Sequence, residues 1–139
     1  DPRFLDYDYI GAPWPSDPAW VDHQTARAEI HRIFPYNRVG NGGFSLRSRK
    51  FMELSNRFTT AGIYGEDCYL CTICYDYMIK NGIKFAPMDL AYQFSIENPI
   101  AEYGGSLELP GKMDPTAHFG FHGNRFDNWE NIINLKNYA

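Results

Sequence analysis

The chain reads as mixed α/β, a mixed sheet flanked by helices, on three observations. Helical spacing of apolar residues recurs at 24–33, 48–58 and 66–82. Short strand-like stretches rich in aromatic residues fall between and after them, at 7–11, 42–48 and 118–123. Clusters of Gly and Pro separate the two patterns, so strands and helices interleave instead of forming separate blocks.

The elements follow in order. Residues 1–22 hold four of the nine prolines and two of the three tryptophans, an irregular segment with aromatic anchors around a short strand at Tyr7–Gly11. QTARAEIHRI (24–33) is helical, and FPYNRVGNGG (34–43) ends its periodicity. In GGFSLRS (42–48), Phe44 and Leu46 alternate with polar neighbours, as in a strand. Ser48 is a candidate N-cap for a helix whose Phe51, Met52, Leu54 and Phe58 form one stripe. After the break at Gly62–Gly65 comes the strongest helix, EDCYLCTICYDYMIKNG (66–82). It has acids in its first turn, a face of Leu70, Ile73, Cys74, Tyr77 and Met78, Lys80 near its end, and Asn81-Gly82 as terminator. IKFAPMDLAYQFSIE (83–97) is expected as two short strand-like pieces divided near Pro87, and residues 98–117 as loop. HFGFHG (118–123) is a strand or turn, and RFDNWENIINL (125–135) a closing helix. No internal repeat or low-complexity tract interrupts this order.

A length of 139 residues suits one domain over 1–139 with a core of its own. Net charge −4 and a pI near 5.5 supply no broad basic field for nucleic acid or anionic lipid. No apolar run reaches the ~20 residues of a membrane span. The opening DPRFLDYDYIGAPW reads like the interior of a longer polypeptide. Cys68, Cys71 and Cys74 recur every third residue on one side of a helix, a spacing unsuited to disulfides. Free thiols of this kind suit a reducing compartment, the cytoplasm.

Four groups could carry chemistry. Glu66 and Asp67 start a helix after Gly65; they either complement its dipole and N–H groups or offer a general base. His118 and His122 bracket Phe119 and Phe121. Asp6 and Asp8 form an Asp-x-Asp triplet whose members would point the same way in a strand. Gly40, Gly42 and Gly43 surround Asn41, making either a turn or a place where backbone approaches a ligand.

The blocks YIGAPW (9–14), VGNGGFSLRS (39–48), EDCYLC (66–71) and FGFHG (119–123) stand in an order that resembles the DUF5672 family. That family looks like the acceptor-side half of a GT-A glycosyltransferase. The resemblance implies a GT-A-like fold without its N-terminal nucleotide-binding part, moving a sugar from a nucleotide-sugar donor to a glycan or protein hydroxyl. It implies Asp67 as catalytic base, with Glu66 binding sugar hydroxyls or exchanging roles with it. Gly42 and Gly43 would admit the donor sugar, with Asn41 and Arg47 beside them and Trp14 stacking on a pyranose face. His122 would complete a site for a divalent metal, Mn2+ or Mg2+. Two other readings compete: a non-catalytic carbohydrate-binding module, and a metal-dependent hydrolase built on His118, His122 and nearby acids.

Overall fold

Strand β1 (Tyr9–Gly11) is buried at every residue because it is paired on both edges. The computed structural model describes residues 1–17, 24–59, 64–98, 100 and 117–123. On one edge of β1 lies antiparallel β2 (Ser45–Arg47), in register Tyr9↔Arg47, Ile10↔Leu46 and Gly11↔Ser45. On the other lies the 84–86 stretch, through a parallel bridge Tyr9↔Phe85; Tyr9 N–H donates to the Lys84 carbonyl at 3.2 Å and Ala86 N–H to that of Tyr9 at 3.0 Å. An uninterrupted apolar run is what such a doubly flanked strand requires, and YIGAPW supplies it.

Pairing continues beyond β1. Pro13 bridges Val39 in antiparallel sense, Trp14 N–H donates to the Arg38 carbonyl at 2.8 Å, and Asn41 N–H to that of Ala12 at 3.2 Å. Between Pro13↔Val39 and Gly11↔Ser45 the register slips by four residues, so residues 40–44 form an enlarged bulge opposite Ala12, tied to it through Asn41 N–H. The glycine cluster is this bulge.

Helix α1 (Gln24–Ile33) buries Ala26, Ile30 and Ile33, with Phe34 just beyond it, on one face. Asn37 then closes the turn: its amide donates to the carbonyls of Val39 and Cys71 at 3.1 Å each, and its oxygen accepts from Val39 N–H at 3.0 Å. Ser48 caps α2 (Arg49–Ser55) as expected, accepting from Phe51 N–H at 3.1 Å while donating to Asp8 Oδ1 at 2.6 Å. Asp8 Oδ2 accepts from Lys84 N–H at 2.9 Å. Asp8 therefore ties α2 and the 84–86 stretch to β1, and Asp6 is exposed at the end of a 3-10 turn (Pro2–Asp6). The predicted stripe of α2 is narrower than its spacing suggested. Phe51 is buried, but Met52 is 46% exposed and the helix stops before Phe58.

The helix expected over 66–82 forms as α3 (Glu66–Cys68), a π-helical segment (Tyr69–Ile73) and α4 (Tyr75–Lys80). The π turn is marked by Cys74 N–H donating to the Tyr69 carbonyl, five residues back, at 2.9 Å. The extra residue turns the following face, so Cys71 and Thr72 are buried while Tyr77, expected inside, is 37% exposed. Gly82, at φ +72°, ends the run in the left-handed region that glycine tolerates. Among the described residues all three cysteines are free and buried.

Burial, with the charge of Asp67 second, pushes the Cys68 thiol up to about 12. Burial also raises Cys71 and Cys74. Below the ordinary thiol value of 9.0 both folded and unfolded chains keep these protons. Above it the unfolded chain releases them first, so stability is lost as pH rises toward the folded value. The urea midpoint is expected to hold steady up to about pH 8 and to fall beyond about pH 9, and thiol reagents at neutral pH should label Cys71, which is wholly buried, only after unfolding.

The expectation of two strand-like pieces over 83–97 is corrected. Phe85 contributes a single bridge, and Met88–Phe94 is helix α5. Tyr92, Phe94 and Ile96 alternate as in a strand, but Leu90, Ala91 and Phe94 are the residues buried at helical spacing, after Pro87 and with Asp89 in the first turn. Only Ser95–Ile96 extends, as β3, pairing in parallel with β4 (Gly120–Phe121) in register Ser95↔Gly120 and Ile96↔Phe121. The result is mixed α/β: among the described residues, two small two-stranded sheets, with helices packed on a core that includes Tyr9, Phe51, Met78 and Phe94. The closing helix expected at 125–135 and nearly all of the 98–117 loop lie outside the described residues. No helix among the described residues is long and apolar enough to cross a membrane.

Candidate functional site

The bulge and the start of α3 meet at one carboxylate. Asp67 Oδ2 accepts from Gly42 N–H at 2.8 Å and Oδ1 from Cys68 N–H at 2.7 Å. Asn41, 7% exposed, shapes the bulge from within: its side-chain oxygen accepts from Gly43 N–H at 3.1 Å.

The strands bring in the other wall. Glu97 follows β3 and His122 follows β4, so both project from the carboxyl end of the parallel pair, where open α/β sheets place ligands. His122 N–H donates to the Ile96 carbonyl at 3.0 Å, and Nδ1 lies 3.6 Å from Glu97 Oε2. The imidazole lies directly over Gly43: a Cβ there would be 2.2 Å from Nδ1.

Between these walls is a cleft of about 410 Å3. Of the residues expected from sequence, Trp14, Asn41, Gly43, Asp67 and His122 line it, and Cys68, Glu97 and Asn98 complete it. Sequence reading missed Glu97 and Asn98. Their signal was a polar Glu-Asn pair directly after the apolar end of β3.

Three expectations change. The Cβ positions of Gly42 and Gly43 are bounded by the chain's own side chains: one at 42 would meet Arg47 Nη2 at 2.8 Å and Asp67 Cβ at 3.0 Å, so these glycines make room for neighbouring side chains. Trp14 is 3% exposed and stacks on Phe34 with centroids 6.1 Å apart, so it offers no open face to a pyranose. Glu66 and Arg47 do not line the cleft that Asp67 lines: they form an ion pair, Nη2 to Oε2 at 3.2 Å, with the guanidinium 5.4 Å from the Tyr9 ring centroid. Both line a second cleft, of about 280 Å3.

His118 does not join His122. Its Nδ1 pairs with the Tyr92 carbonyl and its ring stands edge-on to Tyr92, centroids 4.7 Å apart. Among the described residues no three His, Cys, Asp or Glu side chains group to hold a metal by themselves.

The DUF5672 family, described as a protein of unknown function, matches residues 2–118 of this sequence. The chain belongs to that family. No curated protein and no solved structure gives a significant match.

Proposed function

We propose that this chain is the acceptor-side, base-bearing part of a GT-A-like glycosyltransferase, which moves a sugar from a nucleotide-sugar donor to a glycan or protein hydroxyl. One observation carries the reading: Asn41, Gly43, Asp67 and His122, far apart in sequence, line one cleft. Each oxygen of Asp67 accepts one backbone N–H and keeps a lone pair for a substrate hydroxyl. A carboxylate held in this way is a base in fixed position, with no rearrangement left to make during reaction.

In the proposed step the acceptor O–H gives its proton to Asp67 as its oxygen bonds to the anomeric carbon. The anomeric carbon–phosphate oxygen bond breaks, and the nucleoside diphosphate leaves with the electron pair. Glu97, Asn98 and Asn41 supply hydrogen-bonding partners for sugar hydroxyls around that base. The residues present suit a divalent ion only as a shared site, with His122 and Glu97 as protein ligands and donor phosphates completing the set. Such an ion would supply charge neutralisation for the leaving diphosphate.

The test is release of nucleoside diphosphate from a panel of nucleotide sugars, with Mn2+ or Mg2+ and with free sugars and hydroxyl-bearing peptides as acceptors. Release from at least one donor, stimulated by an acceptor, is expected. Sugar binding in the cleft with no release from any donor would replace this reading with a carbohydrate-binding module.

A further inference from the structure

The second cleft lies on the other side of the same short helix start. Neighbouring residues divide between the clefts: Glu66, Tyr69 and Leu70 line the smaller one, Asp67 and Cys68 the larger. Gly42 lies where the two linings meet: a Cβ there would be 2.8 Å from Arg47 Nη2 of the smaller cleft and 3.0 Å from Asp67 Cβ of the larger. The two linings therefore come together at Gly42, close enough for one extended ligand to touch both.

The lining of that cleft has a definite chemistry. Tyr69, Phe58 and Met52 give it aromatic and apolar surface, with Met52 46% exposed and the Phe58 and Tyr69 rings edge-to-face at 6.3 Å. Asn56, Ser55 and the Arg47–Glu66 pair give it polar groups that can donate and accept side by side. Rings beside planar amide, guanidinium and carboxylate groups match a pyranose, which has an apolar C–H face and adjacent hydroxyls on its rim. A purely apolar occupant would take the Arg47–Glu66 pair and the Asn56 amide out of water without offering them new partners.

We infer that the smaller cleft is a second sugar subsite, so the acceptor is an oligosaccharide with one unit at Asp67 and the next against Tyr69 and Asn56. This rests on the larger cleft taking a sugar, as proposed above, but not on transfer chemistry.

Amide-shift titration of the 139-residue chain with free mono-, di- and trisaccharides of common hexoses and N-acetylhexosamines tests it, without donor or turnover. At least one disaccharide or trisaccharide is expected to bind tenfold or more tighter than its own monosaccharide, about 1.4 kcal/mol, moving amides at both Gly42 and Tyr69. Tyr69→Ala should reduce that ratio to near one. Met52→Trp, at an exposed position and filling the cleft, should do the same if the Tyr69 variant fails to fold. The inference is overturned if the longer saccharides move only the larger cleft, if the ratio survives both variants, or if apolar peptides rather than saccharides occupy the smaller cleft. Two-cleft binding without diphosphate release would leave the subsite standing and remove the transferase reading alone.

Discussion

Asp67→Asn is expected to lower turnover in the proposed transfer by ~10²- to 10⁴-fold, the usual cost of losing a general base. The amide keeps the shape of the carboxylate but cannot take the acceptor's proton. It also has a structural consequence that the packing makes explicit. Both carboxylate oxygens accept backbone N–H groups, from Gly42 and Cys68. Asparagine has one acceptor oxygen, so one of those amides must face an NH2 group, at a cost of roughly 1–3 kcal/mol, toward the low end because the site is only partly buried. Turnover should therefore be measured well below the variant's unfolding temperature. Under those conditions kcat falls while KM changes little, since an amide can still hold a substrate hydroxyl. A kcat within a few-fold of wild type in a folded variant would leave Asp67 as a fastening for the bulge and nothing more.

Much of the fold was legible because its signals are local. Ser48 before Arg49 marked a cap that forms, Tyr7–Gly11 marked a short strand that forms over Tyr9–Gly11, and the acids before an apolar face marked a helix start. The failures have a common cause, in that they depend on partners distant in sequence. Nothing near residue 90 reveals that Leu90, Ala91 and Phe94 face the core together, so the stretch around Pro87 reads as two short strand-like pieces. The π turn at Tyr69–Ile73 shifted the buried face of the next helix without any Gly or Pro to announce it.

The candidate site divides along the same line. Asp67, Asn41, Gly43 and His122 stood out by residue type and do meet, whereas Glu97 enters only because β3 and β4 end together. Glu66 sits beside Asp67 in sequence, yet one residue around a helix sends it into another cleft.

The bulge that carries Asn41 and Gly43 depends on Gly40, and Gly40→Ala is expected to destabilise the chain by about 3 kcal/mol, at the upper end for an overpacked core. A Cβ at position 40 would lie 2.3 and 2.4 Å from Trp14 Cη2 and Cζ3 and 2.7 Å from Cys71 Cβ. Neither neighbour can retreat easily. The Trp14 ring is backed by Phe34 and its backbone is bonded to Arg38, while Cys71 is wholly buried in the π segment. The backbone of Gly40 is held as well, because Tyr9 donates its hydroxyl to the Gly40 carbonyl at 2.7 Å. Gly43→Ala makes a contact just as close, 2.2 Å from His122 Nδ1, but that side chain is 49% exposed and can swing outward. Urea unfolding should therefore separate them, with a large drop in midpoint for Gly40→Ala and a small one for Gly43→Ala, whose effect appears instead as displaced His122 resonances. Trp14→Phe removes the part of the indole that holds Cη2 and Cζ3, so the Gly40→Ala, Trp14→Phe double variant should be more stable than the two losses added together. Strict additivity would mean that Trp14 is not what position 40 must avoid, and that this fit of glycine to indole does not hold the bulge in place.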